Sequence, residues 1–164
     1  ELKRVINSLL QNIDEFLENG ILIAATNHEQ LLDSAIWRRF EKVINVNKPN
    51  TEEIKKILEI YFKKIDSDLA TDEKKFEVLK TYMNNLSHSE IIKIINSAYY
   101  RAIIQKTDFE YEDIFSEYFK YIKNNRYSFE EMIKFLNDSH IPQKQIANYL
   151  DISIRQVRNA LNVE

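Results

Sequence analysis

Three groups of residues have types and spacings that suit chemistry. The first is Thr26-Asn27, which closes the apolar run 21–25. A run of that kind reads as a strand buried on both faces. Open α/β sheets place their ligand chemistry at the C-terminal ends of such strands. Asn27 offers a neutral donor and acceptor there; its plain alternative is an asparagine that caps a turn. The second group is Arg38-Arg39, inside the short amphipathic segment 31–40. Planar guanidinium forks suit the charge spread over the equatorial oxygens during phosphoryl transfer. The alternative is a surface pair matched to Asp33 or Glu41. The third group is Arg155, Gln156, Arg158 and Asn159, with Asn162, on the outward side of a C-terminal apolar pattern. Arginine, glutamine and asparagine read base edges or grip phosphates. The same face serves equally well to dock a protein.

The elements that must carry these residues are mostly helical. Val5, Ile6, Leu9, Leu10, Ile13, Phe16 and Leu17 repeat at i, i+3, i+4, so residues 2–17 read as an amphipathic helix. Gly20 is expected to cap its end. A second β-branched run, 43–46, is expected as another strand, closed by Lys48-Pro49. Asn50 or Thr51 then opens a helix with Ile54, Ile57, Leu58, Tyr61, Phe62 and Ile65 on its apolar side. Further helices are expected over residues 73–86, from Ser87 onward through Ile103, and over 111–123. Ser87 and Glu90 make a capping box, as do Ser128 and Glu131. The aromatic residues between Phe109 and Tyr121 fall at helical spacing and read as core rather than as a base-stacking platform.

The segment Ala24-Ala25-Thr26-Asn27, followed by Leu32-Asp33-Ser34-Ala35-Ile36-Trp37-Arg38-Arg39-Phe40, resembles the second half of the AAA+ ATPase core. Within that family it is most similar to the branch containing katanin and spastin. The resemblance runs from Glu1 to about Ile122. It implies that Asn27 is the sensor 1 residue that orients the attacking water. It implies that Arg38 and Arg39 are arginine fingers acting on a neighbouring subunit's nucleotide. Ser87, His88 and Ser89 then lie on the adenine side of the lid. The implied cofactors are ATP and Mg2+, used by an intact protein that assembles into a ring, expected as a hexamer, and remodels a macromolecule.

The segment 141–161, with Ile146, Ala147 and Leu150 before a turn at Asp151-Ile152-Ser153 and Val157 and Leu161 after it, resembles a helix-turn-helix. Ser153 and Gln156 form its second capping box. Aspartate stands at position 151, where many such motifs carry glycine.

The expected fold is therefore mainly α with a small β remnant. Residues 1–49 are expected as the C-terminal half of an AAA+ large domain, 50–125 as a helical lid, and 126–164 as a trihelical helix-turn-helix module. The chain has 164 residues, one glycine, no cysteine and a net charge of -3. Those numbers exclude disulfides and thiolate metal sites, and any polyanion contact has to be local. His28 and His140 stand alone, without metal-ligand partners at suitable spacing. No apolar run approaches membrane-spanning length, so no membrane partner and a cytoplasmic location are expected. The phosphate loop G-x-x-x-x-G-K-[ST] and the paired acids that hold magnesium are not in this stretch. It is thus expected to be the C-terminal part of a longer ATPase, inactive alone. The two strands of such a fragment lack the strand that normally separates them, so residues 1–48 are expected to borrow partners or to pack differently from the family. Two readings from other classes stay open: a DNA-binding regulator that uses the AAA+ part for assembly, and a protein-docking module.

Overall fold

The computed structural model describes residues 2–162, with side chains from Arg4 onward. The chain divides into two compact units, Glu1–Val46 and Asn47–Glu164.

In the first unit, α1 spans Leu2–Leu17. Its apolar stripe is only partly covered: Leu10 and Ile13 are buried, while Val5, Leu9 and Phe16 are exposed. A 3-10 turn at Glu29–Leu31 and the single-turn helix α2, Ser34–Trp37, follow. Asp33 caps α2 by accepting a hydrogen bond from the Ala35 N–H at 2.8 Å. Gly20 does not take the left-handed cap conformation. A Cβ there would lie 2.8 Å from the Phe16 ring and 3.2 Å from the Phe16 carbonyl oxygen, so its smallness admits that ring.

The β remnant is the correction to the expected fold. Among the described residues there is no strand. The runs 21–25 and 43–46 are irregular, and Ile21, Ile23, Ile44 and Val46 are 88%, 89%, 70% and 95% exposed. A strand exists only by pairing its N–H and C=O groups with a neighbour, and neither run has one.

The second unit is a helical bundle. It contains α3 (Thr51–Lys64), α4 (Glu73–Met83), α5 (His88–Gln105), α6 (Tyr111–Ile122), α7 (Phe129–Asp138), α8 (Gln143–Tyr149) and α9 (Ile154–Asn162). Side-chain caps set the starts: Asn50 for α3, Asp72 for α4, Ser87 for α5 and Ser128 for α7. Each cap satisfies an N–H that the helix leaves without a partner. With a single glycine in the chain, helix ends and turns use other residues at positive φ: Asp66, Asn85, Lys106, Asn124, Asn125, His140 and Asp151. Most are Asn or Asp, the residues that tolerate this region best after glycine.

One core runs through the unit. Ile54, Leu58, Leu79, Met83, Ile91, Ile95, Phe115, Ile133, Leu136, Ile146 and Val157 are all buried within it. Aromatic rings join its two ends. Tyr82 of α4 stacks on Tyr118 of α6 at 5.2 Å, and Phe119 of α6 stacks on Phe135 of α7 at 4.6 Å. The aromatic residues of α6 are therefore core, as their spacing indicated. The α8–α9 pair leans on α5 through the Arg101 guanidinium, which lies 5.6 Å from the centroid of the Tyr149 ring. Among the described residues no helix is long and apolar enough to cross a membrane.

One buried group works against this core. Glu112 is 5% exposed, and its Oε2 has no hydrogen-bond partner. Burial pushes its carboxyl pKa up. A carboxyl raised in the folded state is best tolerated when protonated, and that advantage is lost as pH rises through its folded pKa. Glu112→Met is therefore expected to stabilise the protein by about 1 kcal/mol at pH 7. The gain should shrink on acidification through the carboxyl's titration, as thermal unfolding at several pH values would record.

Candidate functional site

The adjacent arginines have different surroundings. Arg39 is half-buried and fully engaged. Its Nε and NH2 donate to the two Asp14 carboxylate oxygens, each at 3.0 Å, and its NH1 donates to the Ala35 carbonyl at 2.8 Å. The hydrogen bond to Asp14 raises the guanidinium pKa above its ordinary value. This bidentate fork ties the segment after α2 to α1. Neither sequence candidate, Asp33 or Glu41, is the partner: Asp33 is occupied in capping α2. The Arg38 side chain is exposed and has no hydrogen bond or ion pair among the described residues. Trp37, beside it, is half-buried. Asn27 sits exposed in a bend before the 3-10 turn, where the Thr26 hydroxyl accepts from the His28 N–H at 2.9 Å. Asn27, Arg38 and Arg39 thus share the first unit, with only Arg39 held by other side chains.

Ser87, His88 and Ser89 form the start of α5 in the second unit. The Ser87 N–H donates to Glu90 Oε2 at 2.6 Å, and the Glu90 N–H donates to Ser87 Oγ at 3.3 Å. The first intrahelical bond is made by the Ile91 N–H. The His88 and Ser89 N–H groups precede it and remain open, at the positive end of an 18-residue helix. Both side chains are exposed.

A residue that sequence reasoning missed holds this turn in place. The Tyr121 hydroxyl, on α6, donates a short hydrogen bond to Glu90 Oε1. Nearby, Lys48 Nζ donates to the Asn85 carbonyl at 2.6 Å. The Tyr121 hydrogen bond, then the Ser87 bonds, hold the Glu90 carboxyl down at about 2. A depressed carboxyl stabilises the fold above its unfolded pKa, and that contribution is lost as pH falls through its folded pKa. The window here runs from about 4.5 down to about 2. Glu90→Gln is expected to flatten the pH dependence of unfolding across that window, which thermal melts of both proteins would test. Tyr121 lies 31 residues from Glu90, and no periodicity links the two.

The C-terminal candidates lie on α9. Gln156 Oε1 accepts from the Ser153 N–H at 2.9 Å, and the Gln156 N–H donates to Ser153 Oγ at 3.2 Å. Its carbonyl therefore caps the helix. Arg158 Nε donates to Gln143 Oε1 of α8 at 3.4 Å. Arg155 and Asn159 are exposed. Among the described residues no three His, Asp or Glu side chains come together in a way that holds a metal ion.

Residues 1–48 match the model of the ATPase family associated with various cellular activities (AAA). This stretch is thus similar to AAA ATPases. The chain is 48% identical over 65 residues to an uncharacterized AAA family ATPase of Sinorhizobium fredii, covering 40% of this chain and 20% of the relative. It is 36% identical over 107 residues to a proteasome-activating nucleotidase of Sulfurisphaera tokodaii, covering 63% and 26%. It is 33% identical over 122 residues to the ATP-dependent zinc metalloprotease FtsH 4 of Synechocystis, covering 71% and 19%. An alignment of 122 residues necessarily continues past residue 48, so the similarity to AAA ATPases extends into the helical unit. The chain spans between about a fifth and a third of the length of the curated relatives it matches. No solved structure matches it.

Proposed function

We propose that this chain supplies the sensor and arginine-finger part, and the lid, of an AAA+ ATPase of the katanin- and spastin-like branch. The intact protein assembles as a ring, binds ATP with Mg2+ between subunits, and remodels a macromolecule. The observation that carries this reading is the division of labour between the two arginines. Arg39 spends its guanidinium on Asp14 and the Ala35 carbonyl, which fixes the backbone beside Arg38. Arg38 is left exposed and uncommitted, as a group that acts on another subunit must be. Arg38 is therefore the finger, and Arg39 positions it.

The remaining assignments follow from the same surroundings. Asn27 presents an uncharged donor and acceptor to an attacking water in its own subunit's site. The open N–H groups of His88 and Ser89 fit the nucleotide at its adenine and ribose end, with Ser87 and Glu90 shaping the turn. ATP brings the transferable phosphoryl group; the residues of this chain orient water and stabilise charge around it. Among the described residues no group of three His, Asp or Glu side chains could hold Mg2+. Ring assembly is supported by the trans geometry that Arg38 requires and by the similarity to other AAA ATPases.

The reading is tested by hydrolysis assays on the complete ATPase carrying Arg38→Ala or Asn27→Ala. Loss of turnover with rings still formed supports it. Full activity of both variants overturns it.

A further inference from the structure

We infer that the outward face of α9 binds duplex DNA, with Arg155, Arg158 and Asn159 as the contacting side chains. Two helices joined by a four-residue turn make the platform. Val157 and Ala160 bury the inner side of α9, and Ile146 and Ala147 bury that of α8. Ile152 packs from the turn against the same core. Asp151 makes the turn in the left-handed region at φ 53°. The core thus fixes which side of α9 faces out.

What faces out is a stripe. Arg155, Arg158, Asn159 and Asn162 follow one another at i, i+3, i+4 and i+7, all exposed. No carboxylate interrupts α8 or α9. Between Gln143 and Asn162 the only acid is Asp151, against Lys144, Arg155 and Arg158, in a chain whose net charge is -3. Three cations against one acid give this segment a local net charge of +2, opposite in sign to that of the whole chain. Arginine forks suit guanine edges and phosphates, and asparagine suits adenine edges. An α-helix with its side chains is about 10–12 Å across, which a major groove about 12 Å wide admits.

Two further contacts prepare the face. The Gln156–Ser153 cap fixes the start of α9, the end that meets base edges when a second helix enters a groove. The Arg158–Gln143 hydrogen bond uses only Nε, and the Arg158 side chain remains exposed. Gln156 is on this account a capping residue, and the direct contacts fall to its neighbours. The site needs no nucleotide, so it stands or falls independently of the ATPase reading.

The test is fluorescence anisotropy of the whole chain with a mixed-sequence DNA duplex of about two helical turns across a salt series. Arg155→Ala and Arg158→Ala run beside it, with Lys55→Ala on α3 as a control away from the face. The expected result is binding that weakens with salt. Each arginine variant should lose about tenfold in affinity and lower the salt slope by about one, while the control matches the unaltered chain. Absence of binding at low salt by a chain that circular dichroism shows to be folded would overturn the inference. Equal affinity of both arginine variants and the unaltered chain would overturn it as well.

Discussion

Arg38→Ala in the complete ATPase is expected to lower hydrolysis by about 10³-fold or more, the usual effect of removing an arginine finger. The magnitude follows from the charge that such a group meets. A guanidinium brought to the equatorial oxygens of a transferring phosphoryl group acts in a site poor in water, where preorganised charge is worth most. Little of that effect should pass through stability, because the Arg38 side chain is exposed and has no hydrogen bond or ion pair among the described residues. Arg39→Ala separates the two roles. It breaks the fork to Asp14 and frees the backbone next to Arg38, so it should damage both local structure and turnover. Asp14→Asn should reproduce part of the Arg39 effect and none of the direct loss of charge. Turnover of purified rings, measured beside their thermal unfolding, distinguishes these outcomes. A variant at Arg38 with unchanged turnover contradicts the assignment.

Leu136→Ala is expected to cost 2–5 kcal/mol and to lower the stability of the whole helical unit in one transition. Leu136 lies on α7 and is fully buried. It belongs to the same core as Ile54 of α3 and Ile95 of α5. Tyr82 of α4 adds a bridge, stacking on Tyr118 of α6 and packing on Phe135 of α7 at 5.1 Å. A cavity at Leu136 therefore removes contacts that the helices before it share with the helices after it. Hydrogen exchange should show protection falling in α3–α6 as well as in α7–α9. Loss of protection confined to α7–α9 would mean two cores rather than one.

Most of the helical unit was legible because its signals are local. Ser87 with Glu90 and Ser128 with Glu131 are reciprocal caps three residues apart, and both mark true helix starts. The apolar stripe of α1 gave its limits, and the spacing of Phe115 and Phe119 on α6 announced a core. What escaped is non-local. The runs 21–25 and 43–46 have strand composition, yet strand structure depends on a partner that composition does not reveal. The Arg39–Asp14 fork spans 25 residues, and the Glu90–Tyr121 bond spans 31. Neither pair falls on a shared period, so only the fold identifies them. The single glycine suggested few tight turns; instead, asparagine and aspartate do much of that work at positive φ.

On the proposed reading, Asn27 serves a subunit's own site while Arg38 serves its neighbour's. Mixing two complete ATPases, one Asn27→Ala and one Arg38→Ala, tests it most directly. Each alone should be nearly inactive. In mixed rings, some interfaces pair an intact Asn27 from one subunit with an intact Arg38 from the next, and at those interfaces hydrolysis should reappear. Activity well above the sum of the two variants, rising with the fraction of mixed rings, is expected. Mixed rings that form, yet hydrolyse no more than that sum, would contradict it.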